Sequence, residues 1–184
     1  DVVVVADSGL MTKKNVKLLQ AGKYKYILGA RIRNEAKEVR EWILSLEKVE
    51  DIYYEYEREQ LVPAPNSKEP GATLRIKERL IVTYSKDRAR NDAENRKRGI
   101  ERLKRDFGSG TIKKENINRR GYNKFLEITN DVGIVINEEK IVEDEKWDGW
   151  KGYVTNTVIA AKEVVSQYHG LWVVERAFRV TKDL

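Results

Sequence analysis

The stretch DVVVVADSGLMTKKNVKLLQAGKYKYILGA, Asp1–Ala30, decides the fold class. Val2–Ala6 is a continuous, mostly β-branched run, the composition of a strand buried on both faces. Asp7 closes it, Ser8 and Gly9 turn the chain, and Thr12 is placed to cap a helix through Leu18 and Leu19 that Gly22 ends. A second apolar run, Tyr26–Ala30, follows. Strand, helix and strand at this spacing form a βαβ unit, which predicts two parallel strands joined by a right-handed crossover. Ligands of open sheets gather beyond the carboxyl ends of strands, where Asp7 stands. A strand covered on both faces needs a neighbour on each side, and nothing ahead of Val2 supplies one. The expectation is therefore a piece of a longer protein.

The other end of the chain carries the second feature. If Ala160–Leu184 is helical, Val164, Tyr168, Leu171 and Phe178 share one stripe, the expected buried face. Glu175 falls within that stripe, and Lys182 points the same way. A carboxylate on an apolar stripe needs a cation, a strong hydrogen-bond donor or a metal. Two readings stay open. Glu175 could pair with Arg179 one turn on, a common surface arrangement. Alternatively, Asp7 and Glu175 could share a cation, and ligation by oxygen alone favours Mg²⁺ or Mn²⁺. Two such ions about 4 Å apart can activate an attacking oxygen and stabilise a leaving one in phosphodiester chemistry.

Between these ends, Val39, Trp42, Ile43 and Leu46 give a helical pattern over Glu35–Leu46, and Ile52–Glu57 alternates like a strand. Pro63, Pro65 and Pro70 lie with Asn66, Ser67 and Gly71 in an expected exposed turn. Thr73–Tyr84 is the clearest two-residue alternation and predicts a long strand paired with the preceding one as a hairpin. Lys86–Phe107 reads as a long charged helix, and Lys113–Leu126 as a shorter basic one. Val132–Ile136 and Gly149–Thr155 read as further strands. The expected organisation is an opening segment 1–34, a mixed α+β insertion 35–147 and a closing strand and helix over 148–184.

The composition narrows the chemistry. With 184 residues the chain is long enough for one domain with a real core, or a domain carrying an insertion. It has no Cys and one His, which excludes disulfides, thiolate metal sites and imidazole-rich zinc sites. That usage suits the cytoplasm, and no apolar run approaches a membrane span. A net charge of +6 tilts toward an anionic partner such as nucleic acid. The helix from Lys86 mixes Arg and Lys with Asp87, Asp92, Glu94, Glu101 and Asp106, a pattern open to both DNA contact and a solvated face. Trp147 and Trp150 flank a turn and could stack on an unpaired base or pack in the core. His169 reads as structural.

The segment VVVVADSGLMTKKNVKLLQAGKYKYILGARI resembles the second-aspartate segment of bacterial insertion-sequence DDE transposases, whose catalytic domain is ribonuclease-H-like. QYHGLWVVERAFRVTKDL is similar to their glutamate segment, in the branch with a Tyr-x2-Arg-x3-Glu-x6-Lys signature. Tyr168, Glu175 and Lys182 match that spacing, and Leu171 stands at the arginine position. WDGWKGYVTNT, ending at Thr155, Asn156 and Thr157, resembles the strand leading into that helix, and NRRGYNKFL at Asn118–Leu126 extends the likeness loosely into the insertion.

The resemblance implies a partial ribonuclease-H-like α/β fold with an α+β insertion. It implies Asp7 as the second metal-binding aspartate and Glu175 as the third acid, together holding Mg²⁺ or Mn²⁺ in a two-metal site. It implies Tyr168 and Lys182 as contacts to transposon-end phosphates, with Arg179 or Arg176 partly replacing the missing arginine. It places the triad's first aspartate on an earlier strand, so this chain alone is expected to be inactive. The implied partners are double-stranded DNA at transposon ends and target, and a second copy in a homodimeric active complex. The alternative is a non-catalytic DNA-binding or assembly module that keeps the scaffold.

Overall fold

The computed structural model describes residues 3–8, 13–64, 71–108, 121–128 and 133–182, and for 13–15, 17, 60, 62, 63, 107 and 172–182 it describes the backbone alone. Seven strands and five α-helices occur among them: β1 Val3–Ala6, α1 Lys13–Ala21, β2 Lys25–Ala30, α2 Lys37–Ser45, β3 Tyr54–Pro63, β4 Thr73–Tyr84, α3 Lys86–Gly108, β5 Leu126–Ile128, β6 Ile134–Ile136, α4 Glu138–Glu145, β7 Trp150–Thr155 and α5 Ala161–Lys182. The chain is mixed α/β. It divides into two compact units, one of residues 1–43, 51–83 and 151–184, the other of 44–50 and 84–150.

The first unit is built on a mixed sheet of order β1-β2-β7-β4-β3. β1 and β2 are parallel, with Val5 opposite Ile27 and Ala6 opposite Leu28, as the βαβ reading requires. β7 returns antiparallel to β2, with Ala30 opposite Gly152 and Ile27 opposite Thr155. β3 and β4 form the expected antiparallel hairpin, in register from Tyr54–Val82 to Pro63–Thr73. Side chains of a strand alternate between faces, and the two faces of β2 go to different helices. Ile27 joins Ile81, Tyr153, Val164, Val165 and Tyr168 in the apolar layer under α5, with Val3 and Val5 of β1 packed against it. Tyr26, on the other face, meets Gln20 of α1.

A buried polar network lies on that second face. Glu78 of β4 is 2% exposed. Its Oε1 accepts the Tyr26 hydroxyl and, at 2.9 Å, the Gln20 amide, while Oε2 accepts Arg58 Nε at 3.1 Å. Arg58 reaches Glu35 with its other end at 2.8 Å. Burial, followed by the neighbouring Glu78, pushes the Tyr26 phenol well above its usual range, so it stays a proton donor to that carboxylate. Where β7 ends, Asn156 continues the ladder with its side chain. Its Oδ1 accepts Tyr26 N–H and its Nδ2 donates to the Tyr24 carbonyl, both at 2.9 Å.

Several expectations need correction. β1 is only half-buried, because among the described strands it pairs with β2 alone. α1 does end at Gly22, its last residue being Ala21, and the left-handed residue that follows is Lys23, with φ of 56°. β3 starts two residues late and runs on to Pro63. Thr12 and the residues from Pro65 to Pro70 lie outside the described residues. Of the expected basic helix, residues 113–120 also lie outside them. Gly121–Phe125 is a 3₁₀ turn and Leu126 opens β5. Phe125 and Leu126 are both buried with Leu103 and Ile141.

The second unit is organised around α3. Its Arg96 is 6% exposed and bonds Asp148 in a bidentate fork at 2.6 and 2.5 Å, with Asp144 and Glu145 at 3.5 and 3.6 Å. A planar guanidinium matched to a carboxylate in this way is among the strongest ion pairs available. α4, absent from the sequence reading, is capped by Asn137, whose Oδ1 accepts Lys140 N–H at 3.0 Å. Trp150 is 5% exposed and packs edge-on to Tyr84, so of the two base-stacking candidates this one belongs to the core.

Candidate active site

The site is assembled where β1 ends. Val3 and Val5 face α5, and the alternation carries Asp7 to the same face one step past the strand. Its Oδ1 accepts Ser8 N–H at 2.7 Å and the Tyr168 hydroxyl at 2.8 Å. Among the described residues no donor reaches Oδ2. The Tyr168 hydrogen bond, helped by Ser8 and by the positive charge of Lys151, holds the Asp7 carboxyl below its ordinary range against the opposing effect of burial. The group is therefore a charged carboxylate with one oxygen pinned and, among the described residues, no donor on the other.

The pinning is tightly made. Tyr168 is 8% exposed and its ring meets Tyr153 edge-on, centroids 5.0 Å apart. Gly29 of β2 leaves the hydroxyl its space: a Cβ there would lie 2.6 Å from the Tyr168 oxygen and 3.2 Å from Asp7 Oδ1. Tyr153 in turn lies 3.3 Å from His169 Nε2, so the lone imidazole supports the aromatic pair. Lys151 of β7 places its ammonium 5.1 Å from the Tyr168 ring centroid. Arg31, just past β2, donates to the Ser8 carbonyl at 3.0 Å, on the residue next to Asp7.

Of the residues singled out from sequence, Asp7 and Tyr168 are brought into direct contact. Tyr168 has its hydroxyl committed to Asp7 and its ring in the core, which makes it a positioning residue in this arrangement rather than an open phosphate contact. Glu175, Arg176, Arg179 and Lys182 lie in the part of α5 described by backbone alone. Seven residues separate Tyr168 from Glu175, about two helical turns, so their Cα atoms share a stripe about 10 Å apart along the axis. Leu171 is half-buried between them.

The sequence reading missed Lys151, Gly29 and Arg31. Their signal is one of register: Gly29 lies one step from the Ala30–Gly152 pair, and Arg31 and Lys151 follow one step beyond it. A groove of about 480 Å³ also opens on this unit, lined by Arg58, Lys77, Glu78, Arg79 and the turn at Thr157. Its cations face Glu35, Glu59, Glu78 and Glu55, so it presents no net attraction for an anion.

No protein-family model, curated protein or solved structure matches this chain. Among the described residues, no three His, Cys, Asp or Glu side chains gather around one point. Asp7 Oδ2 nevertheless fits a hard divalent cation, since Mg²⁺ is commonly held by one or two carboxylates completed by water and phosphate oxygens. No helix among the described residues is long and apolar enough to cross a membrane.

Proposed function

We propose that this chain carries the second and third acids of a DDE transposase catalytic core of ribonuclease-H-like type, acting on DNA phosphodiesters at insertion-sequence ends. The observation that carries the reading is the Asp7–Tyr168 contact. It ties the carboxyl end of β1 to the same helical stripe on which Glu175 stands. The parallel β1–β2 pair and the helix lying along both strands are the arrangement this reading needs. Asp7 contributes one open carboxylate oxygen and Glu175 the second acid. Mg²⁺ or Mn²⁺, when bound, would activate the attacking oxygen and stabilise the leaving one. Tyr168 and Ser8 fix the Asp7 carboxylate, so the open oxygen is aimed before any ligand arrives. Arg176, Arg179 and Lys182 extend the same helix end with positive charge for the DNA backbone. The triad's first aspartate belongs, on this reading, to an earlier strand, and the intact enzyme works on double-stranded DNA as a homodimer.

The test is Mn²⁺ binding to the chain, followed by electron paramagnetic resonance. Asp7→Asn and Glu175→Gln should each weaken it by at least about tenfold, the scale expected for losing an aimed ligand. Equal affinity in wild type and Asp7→Asn would overturn the reading and leave the non-catalytic assembly module in its place.

A further inference from the structure

Arg79 holds its charge in a place that electrostatics alone would not choose. It stands on β4 one residue past Glu78 and so on the opposite face of the strand, the face on which Ile81 joins the layer under α5. Its side chain is 19% exposed. Nη2, which carries two hydrogens, donates to the main-chain carbonyls of Thr157, at 3.0 Å, and of Ile159, while Nη1 donates to Glu55 of β3 at 2.8 Å. Those carbonyls lie just ahead of Ala161, where α5 begins. The N-terminal end of a helix carries partial positive charge, which disfavours a cation beside it. Glu55 answers the charge, so what the guanidinium contributes to the turn is its pair of fixed hydrogen bonds.

The same turn is fastened to β7 through Thr155, whose Oγ1 accepts Thr157 N–H at 3.0 Å. Ile159 packs against the apolar layer, and the Ala160 carbonyl accepts the first helical N–H groups, Glu163 at 2.9 Å and Val164 at 3.0 Å. Tyr168 follows about 12 Å further along the axis. A rotation at the start of the helix is therefore carried to Tyr168, whose hydroxyl must meet Asp7 Oδ1 at 2.8 Å. We propose that Arg79 is a positioning residue for the Asp7 site: by gripping the Thr157 and Ile159 carbonyls it sets how α5 is turned, and through α5 it aims the Tyr168 hydroxyl at Asp7. For what that aim serves the proposal rests on the Asp7 metal site; the contacts themselves do not. An ammonium is no substitute, because a planar fork reaches the two carbonyls and Glu55 at once.

The experiment labels the metal-free chain with ¹³C at tyrosine Cζ, a nucleus that senses hydrogen bonding of the hydroxyl, and assigns Tyr168 as the signal missing from Tyr168→Phe. Arg79→Gln should shift that signal toward the position of an exposed tyrosine. It should also weaken Mn²⁺ binding about three- to tenfold, less than the loss of a ligand's own hydrogen-bond partner. In a Tyr168→Phe background Arg79→Gln should weaken Mn²⁺ binding no further, because the two residues act through one contact. Arg79→Lys should show both effects at reduced size. Glu55→Gln, which removes the charge partner and leaves the carbonyl bonds, should show neither. A Tyr168 signal unmoved in folded Arg79→Gln would overturn the proposal, as would full additivity of the two substitutions in Mn²⁺ affinity. If Arg79→Gln does not fold, Arg79→Lys decides, and a wild-type Tyr168 signal there would overturn the proposal. Failure of the metal reading looks different: wild type would bind no Mn²⁺, while the Tyr168 signal would still answer for Arg79.

Discussion

Glu78 and Asp7 are both carboxylates that accept a tyrosine hydroxyl, and they sit on opposite faces and at opposite ends of one sheet. Glu78 receives Tyr26, Gln20 and Arg58 and uses both oxygens. Asp7 receives Tyr168 and Ser8 on one oxygen and, among the described residues, nothing on the other. The same pairing therefore has two meanings. A buried acid with both oxygens engaged is a structural joint, holding α1, β2, β4 and β3 together. A half-buried acid with one oxygen spare is, on the proposed reading, held for a ligand. Charge at a site is informative only after its partners have been counted, and Arg96 makes the same point in the second unit. It is the most buried cation of the basic helix, and it faces three acids.

Three substitutions test this contrast. The largest effect is expected at the structural joint. Glu78→Ala leaves Arg58 and the Tyr26 hydroxyl without their buried partner and should cost about 3–5 kcal/mol in urea unfolding. A loss under about 1 kcal/mol would mean the joint is wet and the comparison wrong. Next is Gly29→Ala, which forces the Tyr168 hydroxyl off Asp7. It should cost about 1–3 kcal/mol and weaken Mn²⁺ binding together with stability. If Mn²⁺ affinity is untouched while stability falls, Tyr168 does not position Asp7. The smallest is Tyr168→Phe, at about 1 kcal/mol near neutral pH, because Asp7 is partly exposed to solvent. Its pH dependence carries a sign. Tyr168 lowers the folded Asp7 pKa, so its contribution is present above the unfolded carboxyl value and lost as pH falls through the lower folded one. The stability gap between wild type and Tyr168→Phe should close below about pH 4. A gap that widens in acid would reverse the assignment.

Much of the scaffold was legible because its signals are local. The run Val2–Ala6 with Tyr26–Ala30 gave the parallel pair, and the alternation of Thr73–Tyr84 gave β4 to the residue. The α5 stripe pointed Tyr168 inward from spacing alone. What stayed hidden depends on register across strands distant in the chain. Tyr26 and Glu78 meet across the sheet with β7 ordered between their strands, and no window of sequence contains all three. Lys151 looks like one lysine among many until its strand is placed beside β2. Phe125 and Leu126 read as helical because their neighbours are basic and evenly spaced, yet Phe125 ends a 3₁₀ turn and Leu126 opens β5. The acids at Asp7 and Glu175 were visible by type, while the group that fixes Asp7, the Tyr168 hydroxyl, was assigned to a different task.

Asn156 gives this arrangement its ruler. By standing in for a peptide group at the foot of β2, it fixes the point from which the chain sets out toward α5. Each residue of slippage there would turn the helix by about 100° and slide it by about 1.5 Å. Tyr168, two turns up, would then swing away from Asp7. An amide at one end of β2 thereby calibrates the Asp7–Tyr168 contact at the other, by dead reckoning from the helix's starting point.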